Sequence, residues 1–177
     1  MGISNIITKE QDFNYFNKKL AKGKNLKLIF RLTRDGSESG TFHDMCDHIK
    51  NTITLVMSEE GNIFGGFASI PWTSELGYKK DEKAYLFSLA QQSIYNVVDK
   101  DKAVYHSPHC LSSFGEDDLL IYNGCDEIRG SYSEFGNSYK LSEGIQKDSK
   151  EAHKFLAGRK DFKVKEIEVF KFDGFFD

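Results

Sequence analysis

Apolar positions along the chain follow two alternating rhythms. After Thr8-Lys-Glu-Gln11, which has the form of a capping box, Phe13, Phe16 and Leu20 recur at helical spacing as far as Gly23. That pattern predicts a short amphipathic helix. Leu26 to Leu32 is rich in strand formers and is broken by Asp35-Gly36, so a strand leading into a turn is expected. From Ser37 the period lengthens again, because Phe42, Met45, Cys46 and Ile49 share one helical face while His43, Asp44, Asp47 and His48 mostly fall elsewhere. Thr52 to Met57 and Ile63 to Ser69 are β-branched or apolar and flank Glu59-Glu60-Gly61-Asn62, which reads as a hairpin. Pro71 has no amide donor and ends that pairing.

Further short strands are expected at Ala84 to Leu89, Ala103 to His106, Leu119 to Tyr122 and Val164 to Phe170. A last helix fits Asp148 to Ala157, with Phe155 and Leu156 inward and Gly158 as a left-handed cap. The sum is an α+β, mainly β chain: a sandwich of two antiparallel sheets with a few short helices over its ends and edges. The only long polar stretch, Gly136 to Lys150, is where mobility is expected.

Composition narrows this picture. At 177 residues, 39% apolar and 14% aromatic, the chain suits one core and is too short for two, so residues 1–177 are expected to form a single domain with its core at about 6–170. Net charge is −3, which argues against binding nucleic acid through overall charge but leaves local basic patches open. Cys46, Cys110 and Cys125 make an odd count with no paired spacing, as expected of reduced thiols in a cytoplasmic or nuclear setting. No apolar run approaches the ~20 residues that span a bilayer, so membrane insertion is not expected. Met1-Gly2 begins like a myristoylation site, but Ile6 stands where Ser or Thr is wanted.

Candidate chemistry is thin. Gly65-Gly66 precedes no helix, so a strand bulge or close sheet packing fits better than a phosphate loop. Trp72 with Phe64 and Phe67 reads as core before it reads as a stacking platform. His43, Asp44, Asp47 and His48, and His106, His109 and Cys110, invite a metal reading, but neither group supplies the four ligands a zinc ion takes. Glu116-Asp117-Asp118 lacks the alternating ligands of a calcium loop. No nucleophile elbow or comparable catalytic signature is present, and neither enzyme activity nor a cofactor is expected. Cys110, beside His109, is the best candidate for a peroxide-sensing thiol, against the plainer reading of a packing residue. Lys18, Lys19, Lys22, Lys24 and Lys27 cluster early, and Lys154, Arg159, Lys160, Lys163 and Lys165 late. They form either a basic face for phosphates or an acidic partner, or a solvated exterior.

Several of these stretches together carry a likeness to a known family. Arg31-Leu-Thr-Arg-Asp35-Gly36, Phe42-His-Asp-Met-Cys46-Asp47, the segment from Gly61 to Trp72, and Phe162 to Val169 make the chain resemble a TLDc domain, the module of the oxidation-resistance proteins, from about Ile6 to Phe170. Asp35, Gly36, Gly65, Gly66, Pro71, Trp72, Phe114, Gly115, Asp118, Gly136, Ser138, Tyr139, Gly158 and Glu168 match its signature. The resemblance implies a two-sheet sandwich, protection against oxidative damage and binding to the vacuolar proton pump, with no agreed catalytic residues. Many relatives carry LysM or GTPase-activator modules, whereas here the domain is nearly bare. The leading expectation is a non-enzymatic interaction domain with a protein partner. The alternatives are a stress-responsive DNA-binding regulator, in line with transcription-linked roles of some TLDc proteins, and a thiol-based peroxide sensor.

Overall fold

In the computed structural model, which describes residues 4–172, the twelve strands form two six-stranded antiparallel sheets. The first contains β1 (Leu26–Arg31), β2 (Thr52–Ser58), β3 (Ile63–Ala68), β5 (Tyr85–Ser88), β6 (Ser93–Asn96) and β12 (Val164–Phe172), in the order β1-β12-β2-β3-β5-β6. The second contains β4 (Gly77–Lys79), β7 (Val104–His106), β8 (Cys110–Phe114), β9 (Leu119–Tyr122), β10 (Ser131–Tyr132) and β11 (Asp161–Phe162), in the order β11-β10-β9-β8-β7-β4. Both ends of the sequence thus enter one sheet, since β12 lies between β1 and β2. Gly2, the residue of the lipidation pattern, lies outside the described residues.

Between the sheets, Phe30, Val56, Phe64, Trp72, Ile167 and Val169 meet Val104, Leu111, Phe114, Leu119, Ile121 and Phe162. The predicted hairpin is present, and β2 pairs with β3 without a register break from Thr52↔Ala68 to Met57↔Ile63. No bulge exists there, and the glycine pair serves close approach instead. A Cβ on Gly66 would lie 2.6–2.8 Å from the ring of Phe114, and one on Gly65 would collide with the carbonyl of Thr54.

The helices depart from expectation in place and form. The first begins at Glu10 with Lys9 as its N-cap and no side-chain cap, so the Thr8-to-Gln11 box is not made. It runs as α1 (Glu10–Tyr15) into a π-helical turn at Phe16–Leu20, where Ala21 N donates to Phe16 O at 2.8 Å. It covers a sheet face rather than an end or edge: Ile6, Ile7, Phe16, Leu20 and Ala21 bury Ile53, Leu55, Phe67, Phe87, Phe170 and Phe172. That cover is why β2 is buried almost throughout instead of on alternate residues. Arg31 leads directly into α2 (Leu32–Asp35), which Gly36 ends at φ 92°.

The helix expected from Ser37 is α3 (Ser39–Cys46). Its inward face holds Phe42, Cys46 and also His43, while Met45 is exposed and Ile49 lies beyond its end. The last helix, α4 (Lys150–Lys154), is capped by Ser149, whose side chain accepts from Ala152 N, and Gly158 takes φ 88° as the sequence predicts. The Gly136–Lys150 stretch is pinned at its start. Tyr139 is buried and donates its hydroxyl to Ala103 O at 2.6 Å.

Candidate interaction surface

Among the described residues only the first sheet has its outer face covered by helix in the way just described. On the outer face of the second sheet, pairing places Tyr78, Tyr105, Ser113, Leu120, Tyr132 and Asp161 in one row across all six strands. Their neighbours along each strand, among them Val104, Phe114, Leu119 and Phe162, point into the core, as the two-residue period requires. Small Ser113 sits between large neighbours, and the row therefore dips into a cleft of about 260 Å³ lined by Tyr78, Tyr105, Tyr132, Ser113, Leu120 and Asp117.

Tyr78 and Tyr105 pack with ring centroids 5.1 Å apart. On the far side Tyr132 donates its hydroxyl to Asp117 Oδ1 at 2.7 Å, and burial together with that carboxylate raises the phenol well above its usual range. Lys102 Nζ stands 5.6 Å from the Tyr78 centroid and pairs with Glu116 at 2.6 Å. The sequence did not announce this row, because β4 and β10 are three and two residues long. The one available signal was the spacing of tyrosines on runs too short to read as strands.

The acidic signature residues fall in two buried networks rather than in one site, and the others serve packing and turns. Glu168 on β12 is fully buried and takes Arg31 Nη2 at 2.7 Å, Ser4 Oγ at 2.5 Å and the Asn5 amide at 2.7 Å. Asp35 accepts from the Arg31 amide at 2.8 Å, and its paired Arg34 holds its carboxyl below the usual range. Next to them Glu166 accepts from Thr33 Oγ1 at 2.5 Å. This cluster ties the N-terminal segment and α2 onto β12.

Asp118 makes the second network, accepting from the amides of Gly136, Asn137, Ser138 and Tyr139 at 2.7–3.3 Å. Burial pushes its carboxyl up to about 6 against the pull of those amides. Gly115, at φ 72°, leaves it room, since a Cβ there would lie 2.7 Å from Asp118 Cγ. Trp72 is core: it is 1% exposed and its indole donates to Thr52 Oγ1 at 2.9 Å. Pro71 follows the end of β3, and Gly158 packs by Asn62 and Glu60 at the hairpin tip.

His43 Nδ1 lies 2.8 Å from Asp47 Oδ1, and its Nε2 is within 3.1 Å of the carbonyls of Ser107 and Cys110. Among the described residues no group of three or more His, Cys, Asp or Glu is arranged to hold a metal ion. Cys110 is 4% exposed, and burial raises its thiol, outweighing the opposing influence of the nearby Ser107 and Ser113 hydroxyls. These surroundings oppose the thiolate that a peroxide sensor needs.

The basic clusters are not merged into one patch. Lys27 faces Lys171 at the C-terminal end of β12, whereas Lys163 O accepts from Glu59 N beside its start at Val164. From Val164 to Lys171 is roughly 23 Å at the rise of a strand. At that second end Arg159 pairs with Glu60 at 3.5 Å, and Lys160 pairs with Glu134. Lys18 and Lys19 line a shallow groove with Glu10 and Gln92, on the helix-covered side of the first sheet.

Two six-stranded antiparallel sheets with a few short helices define a mainly β, α+β domain. The profile of the TLDc domain matches residues 2–173, and the chain belongs to the TLDc domain family, a family tied to the oxidative-stress response. No curated protein matches the chain.

Proposed function

We propose that this protein is a non-enzymatic interaction domain of the oxidative-stress response, cytoplasmic and open to the nucleus, that docks a protein partner through the outer face of its second sheet. The observation that carries this reading is the tyrosine row, an aromatic strip of the kind favoured at protein interfaces. The conspicuous buried acids support it too: Glu168 and Asp118 are satisfied by internal donors and do not face an opening. Among the described residues no helix is long and apolar enough to cross a membrane. By family resemblance, subunits of the vacuolar proton pump are the first partners to test. Immobilised protein incubated with solubilised pump should retain its subunits, before or after peroxide treatment. Retention of neither a pump subunit nor any other reproducible protein from lysate under peroxide would overturn the reading.

The DNA-binding alternative lacks a continuous phosphate track, because Lys27 and Arg159 lie by opposite ends of β12 and Arg159 and Lys160 are already paired with acids. Anisotropy of labelled duplex across a salt series separates the two readings, since phosphate contacts weaken steeply with salt.

A further inference from the structure

We propose that the cleft on the outer face of the second sheet is a cage for one arginine or lysine side chain, carried by an extended segment of the partner protein. This inference rests on that face being the docking surface. Three tyrosine rings, Tyr78, Tyr105 and Tyr132, line the cleft, and the face of a phenol ring attracts a cation. Beside Tyr132, and across the cleft from Tyr78 and Tyr105, stands Asp117. Its Oδ1 already accepts from the Tyr132 hydroxyl, and among the described residues its Oδ2 has no hydrogen-bond partner. Rings on one side and a carboxylate on the other are what a guanidinium or ammonium group takes up together.

The protein's own side chains show the preference. Lys102 reaches over Tyr78 from the rim, so that ring already receives a cation, but its ammonium is held outward by Glu116. A volume of about 260 Å³ lies below the range of small-molecule pockets and suits a single side chain on the Ser113 floor. Charge decides against a stacked nucleotide. Glu116 is already paired with Lys102, but Asp117 and Asp161 stand at the row with no ion pair among the described residues, and a phosphate there would meet these two carboxylates.

The test is an amide chemical-shift titration of the whole ¹⁵N-labelled protein with a short peptide carrying one central arginine, against its twin carrying neutral citrulline. Saturable shifts at Tyr78, Tyr105, Ser113, Asp117 and Tyr132 are expected with the arginine peptide, with citrulline weaker by roughly 3- to 30-fold. Asp117 has φ 70°, a conformation asparagine tolerates, so Asp117→Asn keeps the fold and should weaken arginine binding to a similar extent. Lys102→Met removes the resident cation and should tighten it, which a merely structural role for Lys102 would not produce. Equal binding of the two peptides, shifts elsewhere, or no saturation at about 10 mM would overturn the cage. If the peptide fails while wild-type protein still retains pump subunits, the cage alone falls; if retention fails while the peptide binds, the pump reading falls and the cage stands.

Discussion

Gly66 lies flat against the ring of Phe114, so that this ring alone separates the two sheets there. Any Cβ at Gly66 must displace that ring, which itself packs edge-on against Trp72 at 5.5 Å. Gly66→Ala is therefore expected to cost about 1–3 kcal/mol by overpacking. Gly65→Ala should cost more, because it meets the backbone carbonyl of Thr54, which cannot rotate away. Gly40 gives the opposite sign: it sits inside α3 with nothing within 4 Å of an added Cβ, and Gly40→Ala should stabilise by about 0.5–1 kcal/mol. Urea denaturation of the three variants checks the order.

Glu168 joins elements from both ends of the sequence. Removing its carboxylate takes the Glu168 ion pair from the Arg31 guanidinium and frees the Ser4 hydroxyl and Asn5 amide. Glu168→Ala should lose about 3–5 kcal/mol, as for breaking a buried pair from one side. Amide exchange should rise first at Asn5, Ile6 and Ile7, since the segment that covers the outer face of the first sheet is tied down there. The exposed pair of Lys79 and Glu75 is the control, and Glu75→Gln should leave the denaturation midpoint unchanged within error.

What could be read from the chain follows from where its signals are local. The β2–β3 hairpin, β12, and α4 with its Gly158 cap each carry their pattern within about ten residues, and each lies where expected. Asp118 is different, because its partners come from Gly136 to Tyr139 on a loop that reads as merely polar. His43 looks like a polar-face residue, yet α3 turns it inward onto the carbonyls of Ser107 and Cys110, which no spacing within the helix could indicate. The capping box fails because α1 starts at Glu10, one residue later than Thr8 as N-cap would require. The tyrosine row depends on register between five pairs of strands, and register is a tertiary property.

His106 should give stability a dependence on mild acid. It is 2% exposed, its Nδ1 lies 2.9 Å from Thr73 Oγ1 and among the described residues its Nε2 has no partner, so the folded protein resists a second ring proton. Burial, helped by repulsion from Lys79, holds the imidazole down at about 4. The unfolded chain takes up that proton near pH 6.5. Between about 6.5 and 4 the unfolded state binds more protons, so this residue's contribution to stability is lost as the pH falls, at no more than about 1.4 kcal/mol per pH unit. Relative to wild type, His106→Gln should become more stable on acidification from pH 7.5 to 4.5. A difference that stays constant with pH in urea midpoints would show that the ring titrates alike in both states.

The thiols offer the sharpest separation between an adaptor and a peroxide sensor. Cys46, Cys110 and Cys125 are all buried. Burial pushes Cys125 up to about 12, raises Cys46 further, and raises Cys110 as well. A thiol attacks peroxide or an alkylating reagent as its thiolate, so none of the three should react at pH 7.4 faster than the protein opens. Intact mass after iodoacetamide should show no added group on the native protein, and three on protein unfolded in urea, one for each cysteine. Peroxide should likewise leave the native mass unchanged over minutes, and Cys110→Ser should behave as wild type. Rapid modification of native protein that vanishes in Cys110→Ser would instead show that the second sheet opens at its β8–β9 pairing, where Cys110 lies opposite Tyr122, and would make that strand pair the working part of the molecule.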